Sequence, residues 1–334
     1  MTVHDGNGWK RCDLGHRHWG RYGAAGLLVA APDPAAADLV APDPTQPGGL
    51  DAVTVLLQLR SRWVSHGGTW APPGGARDSH ESAVAAALRE AAEECGIDPG
   101  AFEVTGIQTD DHGGWVYQTV LASADRQLPA TAASQETKEV GWIPAVDVER
   151  LRLHPSFAAQ WPVLRAGLVP PTVVVDAANV IGSRPDGWWR DRAGAARRLV
   201  DQLAALAARG LPGEAGTVLD QALSWWYPRL VIVLEGAAAR DAAAWDAAAW
   251  DDGAPDGGAL DGGALDGGAL DGGALASARL TVVRAAGSGD DEVVRQAAAA
   301  PSPCLVVTAD RELRARCEAA GARVTGPRWL LGQI

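Results

Sequence analysis

Three glutamates, Glu90, Glu93 and Glu94, stand at the i, i+3 and i+4 positions of a segment rich in helix-forming residues. That spacing stacks their carboxylates on adjacent turns of one helix face. Like charges at such spacing repel, and a bound cation relieves the repulsion. The donors are hard oxygens, so Mg2+ is the natural ion: it binds a few carboxylates and keeps waters for substrate phosphates. The surrounding residues 71–97 read APPGGARDSHESAVAAALREAAEECGI, a Pro-Gly loop passing into a helix. Asp78 is placed to cap that helix, with Glu81 three residues on in a capping-box arrangement and Gly96 as the stop. On a helical wheel Val84, Ala87, Leu88, Ala91 and Cys95 share one face, which is expected to be buried beneath the acidic one.

A second set of acids lies in the C-terminal half. From Pro171 onward β-branched runs alternate with helical stretches: 172–175, 190–209, 230–234, 279–283, 290–299, 304–307 and 311–320. This is the grammar of a parallel α/β sheet. Asp176 ends the first of these strands and Glu235 the second, while Asp290 and Asp291 open a helix and Asp310 follows the strand at 304–307. Sites in open parallel sheets form at the carboxyl ends of the strands. The half has neither a dinucleotide fingerprint nor a P-loop, so an acidic cluster there points to divalent metal. Asp290 and Asp310 are equally well placed to cap helices, a role that explains neither Asp176 nor Glu235.

The first segment resembles the signature of the Nudix hydrolases, Gly-x5-Glu-x7-Arg-Glu-U-x-Glu-Glu-x-Gly-U, where U is aliphatic or small. Gly75, Glu81, Arg89, Glu90, Glu93, Glu94 and Gly96 fall at the fixed positions, with Ala91 and Ile97 at the U positions. The resemblance implies a β-α-β sandwich of α+β type that holds divalent metal against the diphosphate of a nucleoside diphosphate derivative. It further implies that Glu90, Glu93 and Glu94 are metal ligands and that Arg89 orients them. Glu81 would support the loop or a second metal, and Gly74-Gly75 would let the backbone bend beneath the helix. Metal would neutralise charge on the diphosphate and acidify a bound water. The general base lies outside the signature in this family, and Glu136 and Glu139, before the strand-like 140–143, are the candidates.

The second half resembles the PIN-like nucleases of the NYN type, through VVVDAANVI with Asp176 and Asn179, GSGDD with Asp290 and Asp291, and TADREL with Asp310. By that likeness Asp176, Asp290 or Asp291, and Asp310 would bind Mg2+ or Mn2+ and activate water against an RNA phosphodiester, with Asn179 orienting phosphate or a ligand carboxylate. Arg190, Arg192, Arg197 and Arg198 on the first long helix are candidate phosphate contacts or simply a solvated face.

The expected architecture is therefore α/β overall: a Nudix sandwich in residues 1–168, then a PIN-like parallel sheet in 169–334. Pro170-Pro171 marks the boundary. Residues 241–275 are seven pentamers, DAAAW twice, DDGAP once and DGGAL four times, whose glycine pairs and five-residue period fit neither helix nor strand and read as a solvated insert. Residues 31–49, with APDP twice, read as a long loop.

Strand candidates in the first half are 53–59 and 115–122, and Trp70 and Trp115 are either core or stacking platforms for a base. Cys12, His16 and His18 form Cys-x3-His-x-His, a spacing of no common zinc site and without an evident fourth ligand, so the segment reads as the approach to the first strand. Its cysteine and the others, Cys95, Cys304 and Cys317, are scattered and read as small buried hydrophobes in a reducing compartment. The longest apolar run near the N-terminus, residues 24–31, is too short to span a bilayer and lacks the flanks of a secretory signal, so a cytoplasmic, membrane-free protein is expected.

A net charge of −12 argues against a protein that coats nucleic acid, although the acidic repeats contribute much of it. The expected activity is metal-dependent pyrophosphohydrolysis with a second, ribonuclease domain. The competing reading is a Nudix module that senses a nucleotide and regulates the C-terminal domain, which would have no use for the full metal set.

Overall fold

The computed structural model describes residues 4–35, 50–219, 222–236, 238–239, 279–301 and 303–334. The pentamer repeats and most of the 31–49 loop lie outside the described residues. The chain divides into two units. The first comprises the described residues up to Val169 together with the 222–226 segment, and the second comprises those from Pro170 onward apart from that segment.

The first unit begins with a hairpin, β1 (Trp9–Arg11) and β2 (Arg17–Trp19). Its main sheet contains β3 (Ala24–Pro32), β4 (Val53–Arg60), β5 (Trp70–Ala71), β6 (Gly74–Ala76), β7 (Glu103–Asp111), β8 (Val116–Ser123) and β9 (Thr137–Pro144). The order β7-β8-β3-β4-β5 forms its spine, with β6 paired to β3, β9 paired to β4, and the short strand Trp225–Trp226 on β7. β3 runs parallel to β8 and antiparallel to β4 and β6. The run AAGLLVAA that makes β3 is buried throughout, as a strand covered on both faces must be.

Two helices complete the unit, α1 (Ala83–Cys95) and α2 (Pro155–Ala166). α1 packs on β3 through Val84, Ala87, Ala91 and Cys95, all buried. It starts later than the capping-box reading expects. Ser82, not Asp78, is the cap, its Oγ accepting from the Ala85 N–H at 3.1 Å. The Asp78 carboxylate is taken instead by the Gly6 N–H at 2.7 Å and His4 at 2.9 Å, tying the N-terminal segment to the loop. Gly96 ends the helix in the left-handed conformation, φ 63°, that its missing Cβ permits.

The second unit is a parallel sheet of β10 (Thr172–Asp176), β11 (Arg229–Leu234), β12 (Leu280–Arg284), β13 (Cys304–Val307) and β14 (Arg323–Thr325) in the order β12-β11-β10-β13-β14. Every pairing in it is parallel. The helices are α3 (Ala177–Gly182), α4 (Arg192–Arg209), α5 (Gly289–Ala299), α6 (Arg311–Ala319) and α7 (Pro327–Leu331). Because the order reverses at β10, the gap between β10 and β13 is the topological switch point where ligands of such sheets bind. No helix among the described residues is long and apolar enough to cross a membrane.

Candidate active site

The loop 71–76 and helix α1 bring the signature residues into one network. The Arg89 guanidinium forks onto Glu81, with Nε donating to Oε1 at 2.8 Å and Nη2 to Oε2 at 3.0 Å. Its Nη1 donates to Glu90 at 2.8 Å and to Glu93 at 3.4 Å, and Nη2 also reaches the Ala76 carbonyl at 2.9 Å. A planar fork with several donors is the only side chain that can serve this many acceptors at once. Its effect on Glu81 outweighs burial and holds that carboxyl below its ordinary range.

Glu94 is buried and accepts from the Gly74 N–H at 2.7 Å and from Gln58 Nε2 at 2.7 Å. Gln58 is held in turn by the Thr137 hydroxyl. Burial, with Glu90 nearby, pushes Glu94 up to about 7, and burial with Glu93 and Glu81 raises Glu90. Glu93 is the more exposed of the three. Gly75 is open because it must be: a Cβ there would lie 2.5 Å from Glu90 Oε1, so the glycine makes room for the carboxylate. Three hard carboxylates crowded on one helix face, two of them with raised affinity for protons, form a donor set that fits a divalent cation such as Mg2+.

Beside the loop lies a cavity of about 370 Å³, lined among others by Trp9, Trp19, Gly74, Gly75, Asp110 and Gln160. That volume lies in the range of small-molecule pockets. Trp9 and Trp19 are 56% and 46% exposed and meet edge to face at 5.4 Å, so they supply exposed aromatic surface to this cavity. Trp115 lines the same cavity but is largely buried, stacked on His18 with its Nε1 donating to the Gly20 carbonyl. Glu139 lies on β9, opposite Leu59 and exposed; Glu136 precedes that strand, and its carbonyl accepts from the Ser61 N–H.

In the second unit Asp176 is buried at the end of β10, accepting from the Asn179 N–H at 3.1 Å and from Thr308 Oγ1 at 2.8 Å. Asn179 Oδ1 accepts from the Ala309 N–H at 3.0 Å, so α3 and the end of β13 are latched together. Burial raises Asp176, with Glu235 adding to it, and burial raises Asp290, with Asp176 and Asp310 adding. Asp176 thus feels the charge of Glu235, and Asp290 that of both Asp176 and Asp310. Asp310 caps α6, whereas Ser288 rather than Asp290 caps α5. Asp291 is engaged by Arg316, and Glu235 accepts from the Gly289 N–H at 3.0 Å. Of the arginines on or before α4, Arg197 and Arg198 pair with Asp201 and Asp191, and Arg192 sits over Trp188.

The loop and helix thus gather carboxylates around one arginine, beside a cavity of small-molecule size. The NUDIX domain pattern matches residues 37–165. The chain is 43% identical over 175 residues to a Mycobacterium tuberculosis protein described as putative 8-oxo-dGTP diphosphatase 3, spanning 51% of this chain and 72% of that one. It is 36% identical over 170 residues to a Bifidobacterium longum nucleoside triphosphate pyrophosphatase/Nudix hydrolase fusion protein, covering 50% of this chain and 33% of that one. The crystal structure of a Nudix hydrolase from M. smegmatis, RenU, is 40% identical and covers 48% of this chain and 93% of that one, with a TM-score of 0.42. The chain belongs to the Nudix hydrolase family.

Proposed function

We propose that the first unit hydrolyses the diphosphate linkage of a nucleoside triphosphate carrying an oxidised purine, releasing the nucleoside monophosphate and pyrophosphate. The observation that carries this reading is the Arg89-centred carboxylate network beside the Trp9–Trp19 cavity. The substrate class is suggested by the M. tuberculosis relative and suits a cavity with aromatic surface and polar groups, Asp110, Thr119 and Gln160, that can read a base edge. Glu90, Glu93 and Glu94 would hold Mg2+ or Mn2+, with Glu81 near enough to serve a second ion. Bound there, the cation supplies charge neutralisation on the diphosphate and a more acidic water.

The remaining work falls to the chain. Arg89 keeps three carboxylates aimed at one place. The Gly74-Gly75 backbone lets the substrate approach closely. Gln58 and the Gly74 amide hold Glu94 in one rotamer. Glu139, with Glu136 as the other candidate, takes the proton of the attacking water on a carboxylate oxygen. Incubating the protein with 8-oxo-dGTP and Mg2+ tests this: pyrophosphate and the monophosphate are the expected products, and tight binding without turnover would favour the sensing role.

We further propose that the second unit is a PIN/NYN-like metal-dependent ribonuclease, with Asp176, Asp290 or Asp291, and Asp310 as ligands and Asn179 as the positioning residue. Support comes from the strand order, which puts Asp176 at the switch point, and from the charge of Asp176 and Asp310 acting on Asp290. The domain division at 168/169 belongs to the same proposal. Loss of Mn2+-dependent RNA cleavage in Asp176→Asn is expected; cleavage equal to the unmodified chain would remove this activity from the site.

A further inference from the structure

The fold brings a fourth potential donor, His112, to the Cys-x3-His-x-His segment. Cys12 is buried at the end of β1, and its N–H donates to the His16 carbonyl at 3.0 Å, closing the turn into β2. His112 arrives from the end of β7, nearly a hundred residues away, because the Asp13 N–H donates to the Gly113 carbonyl at 2.9 Å and draws the two turns together. The result is one ligand atom each from Cys12, His16, His18 and His112, all within 4.8 Å of one another.

A packed cluster of imidazoles would pair its nitrogens with carbonyls or hydroxyls. Here His18 Nε2 and His112 Nδ1 are both buried with no hydrogen-bond partner. The opposite nitrogen of His112 lies 3.3 Å from Asp110 Oδ2. A metal-ligating histidine is typically oriented in this way, one nitrogen toward the ion and the other toward a carboxylate. The His18 ring is fixed by stacking on Trp115 at 4.0 Å with planes 11° apart, so its edge cannot swing away to find water.

We propose that Cys12, His16, His18 and His112 bind a zinc ion, separate from the carboxylate site on α1. Thiolate and imidazole donors select Zn2+ over Mg2+, and four protein ligands close a tetrahedral site, the mark of a structural ion. Zn–S and Zn–N bonds of about 2.3 and 2.0 Å require the ligand atoms to draw in by about 1 Å or less each. Cys12 binds as thiolate and gives its proton to solvent. The ion would clamp the β1–β2 hairpin to the β7–β8 turn. Trp9, Arg17 and Trp19 on that hairpin and Asp110 beside the turn all line the cavity, so the clamp shapes the wall against which a base would rest. The proposal holds whether or not the carboxylate site turns over substrate.

The test uses the full chain, freed of metal by chelation and titrated with Co2+ without Mg2+. One equivalent should give intense tetrahedral d–d bands and a thiolate-to-cobalt charge-transfer band, both displaced by one equivalent of Zn2+. The charge-transfer band should vanish in Cys12→Ser, and the tetrahedral bands should weaken in His112→Ala. Both should persist in Glu93→Gln, which touches only the carboxylate site. Purified protein should carry one zinc per chain by mass spectrometry. Co2+ bound without a charge-transfer band, or with a band that survives Cys12→Ser, would overturn the site. Because the spectrum is read on the unmodified chain, a misfolded variant does not rescue the proposal.

Discussion

Gly75→Ala separates the chemistry of the site from the stability of the fold. An added Cβ would lie 2.5 Å from Glu90 Oε1, 2.6 Å from its Cδ and 2.7 Å from Oε2. Ordinary contacts are about 3.5–4.0 Å, so the carboxylate must retreat by about 1 Å. That breaks the 2.8 Å bond from Arg89 Nη1 and moves one of three proposed metal ligands. A 1 Å misplacement of a catalytic group can cost about 100-fold in rate, or about 2.7 kcal/mol of transition-state stabilisation. The fold should lose little, because the atoms met are the end of a flexible side chain that can turn aside.

Gly74→Ala is the control. Its Cβ would meet Ala25 O and Gly26 Cα at 2.5 Å, and these are backbone atoms of β3 that cannot retreat. Overpacking of that kind costs about 1–3 kcal/mol or more. Steady-state kinetics across an Mg2+ titration, with thermal unfolding of the same samples, reads both effects. Gly75→Ala should require more Mg2+ and lose about 100-fold in kcat/KM with a nearly unchanged Tm, while Gly74→Ala should lower Tm. Wild-type Mg2+ dependence and kcat/KM in Gly75→Ala would refute the role given to Glu90.

Arg89→Lys keeps the charge but not the fork, so it should lose about 10- to 100-fold in activity at saturating substrate, with Mg2+ demand rising in the same titration. His154 is held down to about 4 by burial, with His66 and Arg60 adding. A base whose folded pKa is depressed is bound less readily by protons when folded, so its stability contribution is full above the unfolded value of 6.5 and is lost as pH falls from there toward about 4. Urea midpoints measured over that window should fall, and His154→Gln should flatten the decline. Thr308→Val removes the hydroxyl donor to Asp176, so it should weaken Mn2+-dependent RNA cleavage without abolishing it, in a gel assay alongside Asp176→Asn.

Local chemistry was readable in the sequence where one element carries it. The i, i+3, i+4 glutamates, Arg89 and the Gly96 stop all lie within or next to α1, and the strand ends at Asp176 and Leu234 follow from short β-branched runs bounded by turns. The cap differs from the sequence reading for a non-local reason: Asp78 and Ser82 are both good caps, and only the approach of Gly6 decides between them. His112 is likewise not legible in the sequence, since its partners precede it by nearly a hundred residues and no spacing rule spans the β7–β8 turn. Of the two tryptophans the sequence offers as stacking platforms, Trp115 lines the cavity; the exposed Trp9 and Trp19 join it through the pairing of two three-residue strands, which hydrophobic pattern does not reveal. The strand Trp225–Trp226 gives no hint in sequence that it pairs with Gly106 and Ile107.

The most direct test of the central claim compares the unmodified chain with Glu94→Gln against nucleoside triphosphates, nucleotide sugars, ADP-ribose, dinucleoside polyphosphates and capped RNA in Mg2+, identifying products by mass. Cleavage of a phosphoric anhydride by the unmodified chain, absent in a folded Glu94→Gln, is the predicted result. Equal turnover by both proteins, or no turnover by either, would contradict the assignment of catalysis to the α1 carboxylates.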